Sequence, residues 1–276
     1  MASISAADVA KLRKMTGAGM MDCKNALQEA EGDFDKAIEI IRKKGQAVAS
    51  KRADREASEG VVLARTTADE KFGALIVLNC ETDFVAKNAD FEKLANEILD
   101  KALEEKAENL DELKKSKIDG VKIEDKVVEQ IGIIGEKLEL SFYDNIKAEH
   151  VHSYIHPGNR LATLAGFNKS GLDTQVYKDV TMQIAAMNPI AVDKDDVKQE
   201  DIDRELEIGK EQARREGKPD NLLEKIAMGK LGKFFKENTL LNQEFVKNNK
   251  QTIRQYLESA DKDLTVTGFV RYTLND

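Results

Sequence analysis

Apolar residues in the first 45 positions recur at helical spacing in three separate runs. Val9, Leu12 and Met15 mark one face of the first run, and Ser5 with Asp8 three residues later matches a capping box at its start. Two further runs share this spacing: Cys23, Ala26, Leu27 and Ala30, then Phe34, Ala37, Ile38 and Ile41. Gly45 is placed to stop the third helix. The pattern predicts a small three-helix unit over residues 1–45, followed by a polar, partly helical linker over residues 46–59.

From Gly60 onward the period changes to that of β-strands. Strands are predicted at 60–65 and 72–80 around a polar loop, with a helix at about 91–106. A second hairpin is predicted at 150–156 and 160–168, because Pro-Gly-Asn at 157–159 is a strong turn sequence, and a helix at about 173–187 follows it. The repeated order of hairpin, corner and helix predicts two related α/β lobes with small antiparallel sheets.

The remaining segments complete an α+β fold. Residues 104–125 are highly charged and predicted to lie on the surface, before a helical run at 127–134 and a strand at 136–143. Ile202, Leu206, Gly209 and Ala213 step by four, three and four, which is typical of a coiled-coil-like seam. A helix at 246–257 and a strand at 264–274 close the chain, and that strand must join a sheet formed earlier. The predicted divisions are listed in order: bundle 1–45, linker 46–59, first lobe 60–145, second lobe 146–200, inserted antiparallel helical hairpin 201–238, and a C-terminal helix and strand 239–276 that rejoin the core.

The segment between the first predicted hairpin and its helix reads ETDFVAKN over residues 81–88. Thr82 and Asp83 suit a helix start, since their side-chain oxygens can accept hydrogen bonds from free backbone N–H groups. Phe84 has two interpretations at this point. It either folds back into the core, as residue type alone favours because large apolar side chains are mostly buried, or it stands exposed as a probe for a partner protein.

Composition limits the class of protein. Charged residues make up 34% and aromatic residues 5%, without tryptophan, which favours several small helix-rich units over one large core. The net charge of −8 argues against a general nucleic-acid binder, and the basic run at 42–55 is interpreted as a solvated linker. Cys23 and Cys80 are predicted to be buried thiols in a reducing compartment, and the absence of a leader or a long apolar run predicts a cytoplasmic protein without a membrane segment.

No pattern in the chain indicates a chemical step. There is no GxxxxGK[ST] loop for nucleotide phosphates. On a strand, His152 and His156 would lie about 13 Å apart, too far to share a metal ion, and no Cys or carboxylate cluster would complete a site with His150 and His152. We therefore expect a binding protein, with no catalytic residue, metal or cofactor.

Two long segments carry a family resemblance. LRKMTGAGMMDCKNAL at residues 12–27 closely resembles the N-terminal signature of the elongation factor Ts family, and LNCETDFVAKN at residues 78–88 resembles its second signature. The resemblance extends to about Tyr272. It implies a guanine-nucleotide exchange factor that acts in translation elongation on elongation factor Tu, with a ubiquitin-associated-like N-terminal bundle that docks on the partner.

The resemblance also implies roles for particular residues. Thr82, Asp83, Phe84 and Val85 match the segment that intrudes near the nucleotide and dislodges Mg²⁺, so the resemblance favours the exposed Phe84. Other partner contacts are implied at positions that match the family: Arg13, Met20, Met21 and His156. Many members continue past the position of Tyr272 into a C-terminal helix, so that contact is expected to be missing from a sequence that stops at Asp276.

Two other interpretations compete with this one. A ubiquitin-like adaptor would account for the three-helix N-terminus but leaves residues 81–88 and both lobes unexplained. An RNA-binding accessory protein would use the basic run at 42–55, against the acidic total. Self-association through the hairpin at 201–238 is a further possibility for the partners of this chain.

Overall fold

The computed structural model describes residues 4–274 and confirms the predicted α+β class, with helices beside small antiparallel sheets. The chain divides into two compact units. The first contains the residues up to Leu63 together with Ile76–Asp144, and the second contains Ala64–Leu75 and Asn145–Thr273. The tip of the first β-hairpin thus groups with the second unit, a feature that no local sequence pattern indicates.

The N-terminal bundle consists of α1 (Ala6–Thr16), α2 (Met20–Glu29) and α3 (Phe34–Lys51). Ser5 and Asp8 form the predicted capping box, which satisfies free N–H groups at the start of α1. The three helices share one small apolar core: Val9, Leu12, Ala18, Cys23, Ala26, Leu27, Ala30 and Ala37. The three predicted helices and their shared core are therefore confirmed.

The predicted helix stop at Gly45 is wrong. The third helix continues to Lys51, and Gly45 is buried within it. Its neighbour is Gly132 on α7 (Ile123–Ile134), and a Cβ atom at Gly132 would lie only 2.6 Å from the Cα of Gly45. The glycine therefore permits two helix backbones to approach closely, and the first half of the predicted linker is helical.

The first sheet contains β1 (Glu59–Thr66), β2 (Phe72–Cys80) and β5 (Leu138–Lys147), in the order β1-β2-β5. Every residue of β2 is buried, which accounts for the apolar run 74–78 within it. A single helical turn, α4 (Asp83–Ala86), leads from β2 into α5 (Ala89–Glu105). The charged stretch that follows carries a short helix and a two-stranded ribbon that the sequence did not predict: α6 (Leu110–Lys115), β3 (Lys117–Ile118) and β4 (Val121–Lys122).

The second sheet is antiparallel, in the order β10-β7-β6, and is built from β6 (His150–Ile155), β7 (Leu161–Phe167) and β10 (Val266–Thr273). β10 pairs with β7, so the prediction that the last strand joins an earlier sheet is confirmed. The helix α8 (Thr174–Met187) covers this sheet, and Tyr177, Val180 and Ile184 belong to the apolar core between them. The second hairpin, its corner and its helix follow the predicted order.

An antiparallel helical hairpin of α9 (Gln199–Arg215) and α10 (Asp220–Asn238) extends from the second unit. Gly209 lies against Ala227, and a Cβ atom at Gly209 would stand 3.2 Å from the Cβ of Ala227. A parallel β-bridge between Ala191 and Thr239 closes the base, so the chain returns to the point where it left. Within residues 4–274, no helix is both long enough and apolar enough to cross a membrane.

The C-terminal helix begins later than predicted. A short ribbon of β8 (Glu244–Phe245) and β9 (Asn248–Thr252) precedes α11 (Ile253–Ala260). Thr252 and Gln255 form a capping box that sets the helix start at Ile253. The predicted start at Val246 is therefore wrong, because the polar segment before Thr252 pairs as strand instead.

Candidate functional site

Residues 81–88 turn the chain twice within a short distance; we call this segment the first corner. Thr82 caps α4, because its Oγ1 accepts a hydrogen bond from the backbone N–H of Val85 at 3.4 Å. Asn88 caps α5 in the same way and accepts from the N–H of Asp90 at 2.8 Å. The two caps leave a single helical turn, Asp83–Ala86, between the end of the strand and the long helix.

Phe84 points away from the protein on that turn. Its exposed fraction is 83%, whereas Val85 is half-buried and Ala86 is buried. The predicted exposure of the ring is thus confirmed and the core interpretation is wrong, while the role of Phe84 as a probe stays a prediction. A ring that stays in water despite its apolar character is a candidate contact for another molecule.

Asp83 stands beside Phe84 and is held by a neighbouring cation. Its Oδ2 accepts a hydrogen bond from Nζ of Lys87 at 2.7 Å, one helical turn later. That hydrogen bond holds the pKa of the Asp83 carboxyl below its usual range. The corner therefore presents an exposed aromatic ring next to an exposed carboxylate.

Glu136, between α7 and β5, holds the corner at its start. Its Oε1 accepts from the Thr82 hydroxyl at 2.8 Å, and its Oε2 accepts from the Thr82 backbone N–H at 3.1 Å. Sequence reasoning missed this residue, because 54 positions separate it from Thr82 and no local pattern links the two.

Glu81 makes the reciprocal contact, from the first corner to the segment that carries Glu136. Its Oε1 accepts from the backbone N–H of Lys137 at 2.6 Å and from Nη1 of Arg52 at 2.8 Å. The hydrogen bond from Lys137, together with the guanidinium of Arg52, keeps the pKa of Glu81 low. Arg52 is the C-cap residue of α3, so this ion pair joins the end of the N-terminal bundle to the first corner.

Cys80 supports the corner from inside the protein. Its thiol donates a hydrogen bond to the carbonyl of Thr82 at 3.1 Å. Burial, with the negative charge of Glu136 as the second cause, raises the pKa of this thiol to about 12. It therefore remains a protonated donor at neutral pH. Cys23 is also free and buried, which confirms the prediction of two buried thiols.

The predicted contact residues of the N-terminal bundle lie on its surface. Arg13 is exposed on α1, and Met20 and Met21 at the start of α2 are 58% and 64% exposed. Met15, which the helical spacing assigned to the buried face, is 56% exposed, so that assignment is wrong. The reason is that the buried residues of α1 are Val9 and Leu12, whereas Met15 lies in the last turn of the helix, two residues before its C-cap Gly17. The bundle thus presents adaptable methionine side chains, a common feature of contact surfaces.

His156 belongs to the second unit, in the turn between β6 and β7. It is exposed, and its Nδ1 lies 2.9 Å from the hydroxyl of Tyr154. The other two histidines face inward: His150 stacks on Tyr177 with 3.7 Å between ring centroids, and Nδ1 of His152 lies 3.1 Å from Oγ1 of Thr181. Among residues 4–274, no group of three or more His, Cys, Asp or Glu side chains is arranged to hold a metal ion.

The basic run at 42–55 is largely ion-paired within the first unit. Nε of Arg42 lies 2.7 Å from Glu129, and Nζ of Lys43 lies 2.8 Å from Glu39. Two further cations of the run have acidic partners: Lys44 pairs with Asp22, and Arg52 with Glu81. Four cations of the run therefore each have an acidic neighbour in the same unit.

Comparison with known proteins gives a consistent result along the whole chain. Residues 81–276 match the family described as Elongation factor TS. Proteins called Elongation factor Ts from Porphyromonas gingivalis strain W83 and from Christiangramia forsetii are 56% and 52% identical, over 275 and 276 residues. These alignments cover 99% of this chain in both cases, with 99% and 100% of the relatives. The Flavobacterium psychrophilum protein of that name is 50% identical over 275 residues. The chain belongs to the elongation factor Ts family.

Proposed function

We propose that this member of the family binds elongation factor Tu, both GDP-bound and nucleotide-free, and promotes the exchange of GDP for GTP. Thr82, Asp83, Phe84 and Val85 are proposed to enter the partner near its nucleotide and to displace the bound Mg²⁺. The single observation that carries this assignment is the 83% exposure of Phe84 on a turn held by Glu136 and Lys87.

An exposed phenyl ring can favour an open state of the partner because its burial there is energetically favourable. Burying a Phe side chain contributes about 1.5–3 kcal/mol relative to leaving it in water. Phe84 gains that free energy only when the partner opens an apolar cavity for it. Binding therefore favours the open state of the partner, and the free energy of ring burial offsets part of the cost of opening.

Displacement of Mg²⁺ would weaken nucleotide binding, because the ion both orders its ligands and neutralises the phosphates. The ion requires near-ideal octahedral geometry and neutralises phosphate charge, so a small displacement of its ligands removes much of its contribution. Linkage makes the effect reciprocal: any factor by which this protein weakens GDP binding is also the factor by which GDP weakens binding of this protein. Such exchange needs no acid, base or nucleophile, and we therefore classify the chain as an exchange factor without its own chemical step.

The other predicted contacts are proposed to dock the partner rather than to open its site. Met20 and Met21 can adapt to an apolar partner surface, and Arg13 adds a charged contact nearby in the sequence. His156 gives the second unit an exposed imidazole for the same purpose. A ubiquitin-like adaptor would use the N-terminal bundle alone and would give no role to the exposed ring of Phe84.

Release of labelled GDP from elongation factor Tu tests this proposal. The parent protein should accelerate release, and Phe84→Ala should slow the accelerated rate by about 10–100-fold, the kinetic equivalent of about 1.5–3 kcal/mol. The matched control is Met228→Ala, which removes a side chain that is 56% exposed on the helical hairpin. Full activity of Phe84→Ala, or an equal loss in the control, would contradict the assignment.

A further inference from the structure

The carboxylate of Glu136 binds Thr82 with both of its oxygens. Oε1 accepts from the hydroxyl at 2.8 Å and Oε2 from the backbone N–H at 3.1 Å. We propose that Glu136 is a positioning residue for nucleotide exchange: it fixes the turn that displays Phe84. This inference rests on the proposed exchange function, and it assigns Glu136 a role in setting the geometry of the corner.

The contact directs the Thr82 hydroxyl toward its capping role. Because the hydroxyl proton is donated to Glu136, the lone pairs of Oγ1 are left to accept from the N–H of Val85. The turn that this bond caps, Asp83–Ala86, has only four residues. A turn this short is not stable by itself, since nucleation of a helix is unfavourable, so its caps determine its conformation. The orientation of Phe84 therefore depends on Thr82, and that of Thr82 on Glu136.

Glu136 is itself held in place. Gly135 ends α7 in the left-handed region, with φ of +80°, and sets the direction in which the chain leaves the helix. The next residue, Lys137, donates its backbone N–H to Glu81 at 2.6 Å. Two carboxylates thus each bind a backbone N–H of the opposite segment, Glu136 that of Thr82 and Glu81 that of Lys137. This reciprocal pair of contacts holds residues 81–82 against residues 136–137.

The first test compares Glu136→Gln with the parent protein in nucleotide exchange. The glutamine has nearly the same shape, but it has a single acceptor oxygen and its NH₂ group would face a donor of Thr82. We expect the maximal rate of GDP release to fall about tenfold, equivalent to about 1.4 kcal/mol, while the concentration for half-maximal rate changes less than twofold. The matched control is Glu139→Gln, three residues along the chain, where the exposed carboxylate pairs with Lys137 at 3.5 Å. It should behave like the parent.

A double variant separates positioning from a general loss of structure. If Glu136 acts through Phe84, adding Glu136→Gln to Phe84→Ala should slow exchange no further. Additive effects would show that Glu136 acts elsewhere, and would overturn the inference. A parent-like rate in Glu136→Gln alone would overturn it too, while leaving the proposed function intact if Phe84→Ala is slow. If Phe84→Ala exchanges normally, the proposed function fails, and this inference fails with it.

Amide hydrogen exchange of the full chain, without partner, tests the geometry directly. Glu136→Gln should accelerate exchange at the amides of Thr82 and Val85 at least tenfold, with little change in the α5 core, and its thermal midpoint should stay close to that of the parent. Unchanged protection at Thr82 would overturn the inference. Should Glu136→Gln fail to fold, Thr82→Val removes the hydroxyl contact with Glu136 and keeps the side-chain shape. Its readout is the amide of residue 82, which should exchange faster, because the amide of Val85 loses its acceptor Oγ1 directly.

Discussion

The two lobes place a corner at the same point, between a β-hairpin and a helix, and the two corners differ in how they are held. The second corner, residues 168–173, is tied to the C-terminal segment by side chain and backbone. Asn168 donates to the carbonyl of Asp263 and accepts from the N–H of Thr265, both at 2.8 Å, and Lys169 pairs with Asp261 at 2.6 Å. Its apolar residue, Leu172, packs against the core.

The first corner is joined to a distant segment of its lobe at its base, through residues 81 and 82. Thr82 and Glu81 are held by the segment around Glu136, whereas the next two residues extend outward as an exposed acid and an exposed ring. One architecture therefore serves two purposes: an anchored corner stabilises its lobe, and a displayed corner is available to a partner. The distinction lies in where the apolar residue points, and substitutions in the two lobes should separate stability from exchange.

The largest expected effect is on the stability of the second lobe. Asp179 is buried on α8 and accepts hydrogen bonds from Lys247 at 2.6 Å, Gln175 at 2.6 Å and Tyr256 at 2.9 Å. Burial opposes the charge of Asp179, yet these hydrogen bonds together hold its pKa below the usual range. Because hydrogen bonds to charged groups contribute about 1.5–3 kcal/mol each, Asp179→Ala should lower the free energy of unfolding by about 3 kcal/mol or more.

The matched control for that prediction is Asp83→Ala in the first corner, where the acid is exposed and pairs with Lys87 at 2.7 Å. An exposed ion pair of this kind contributes little to stability, so urea unfolding should show a much smaller loss for Asp83→Ala than for Asp179→Ala. Equal losses in both would refute the distinction between a buried carboxylate that binds three partners in the second lobe and an exposed carboxylate in the first corner.

Mild acid should act on the second lobe selectively. All three histidines of the chain lie at position 150 or beyond. Burial lowers the pKa of His150 below 6.5, although Glu70, 3.3 Å from its Nδ1, opposes the shift; His152, Phe167 and Tyr177 are its ring neighbours. As the pH falls, His150 therefore binds a proton in the unfolded chain at a higher pH than in the folded chain. The stability that neutral His150 allows above pH 6.5 is lost as the pH falls below 6.5.

His150→Phe should reduce this pH dependence, because it keeps a stacked ring and removes the titrating group. Between about pH 7.5 and about pH 5.5, the thermal midpoint of the parent should fall by at least about 2 °C more than that of the variant. The control variant is His156→Phe, which removes an exposed histidine outside the core. Identical falls in the parent and His150→Phe would rule out His150 as the source.

Local sequence patterns predicted the elements that depend on residues close together in the chain. The continuous apolar run of β2 and the capping box at Ser5 were both read correctly. Gly45 was misread, because a glycine that allows close helix packing has the same sequence as one that ends a helix. The C-terminal helix was predicted seven residues too early for a related reason: the ribbon of β8 and β9 is stabilised by pairing, which helical spacing cannot reveal.

The candidate site was predictable only in part. The motif resemblance selected Thr82 to Val85 and correctly favoured an exposed Phe84 against its residue type. Neither the resemblance nor the spacing indicated Glu136 or the link from Arg52 to Glu81, because both contacts join segments far apart in the chain. The predicted roles of Arg13, Met20, Met21 and His156 agree with their exposure and stay predictions until partner binding is measured.

The smallest expected change in stability is the most informative about function. Phe84→Ala should alter the free energy of unfolding by less than about 0.5 kcal/mol, as exposed substitutions usually do. Leu172→Ala, at the apolar position of the second corner, should cost about 1–2 kcal/mol, because the side chain is partly buried against the core. Exchange should show the reverse order, with a large loss for Phe84→Ala and a nearly normal rate for Leu172→Ala. Urea unfolding and labelled-GDP release, measured on the same two preparations, give both orders. If Phe84→Ala is the less stable variant, the ring supports the fold, and the two corners would then serve the same structural purpose.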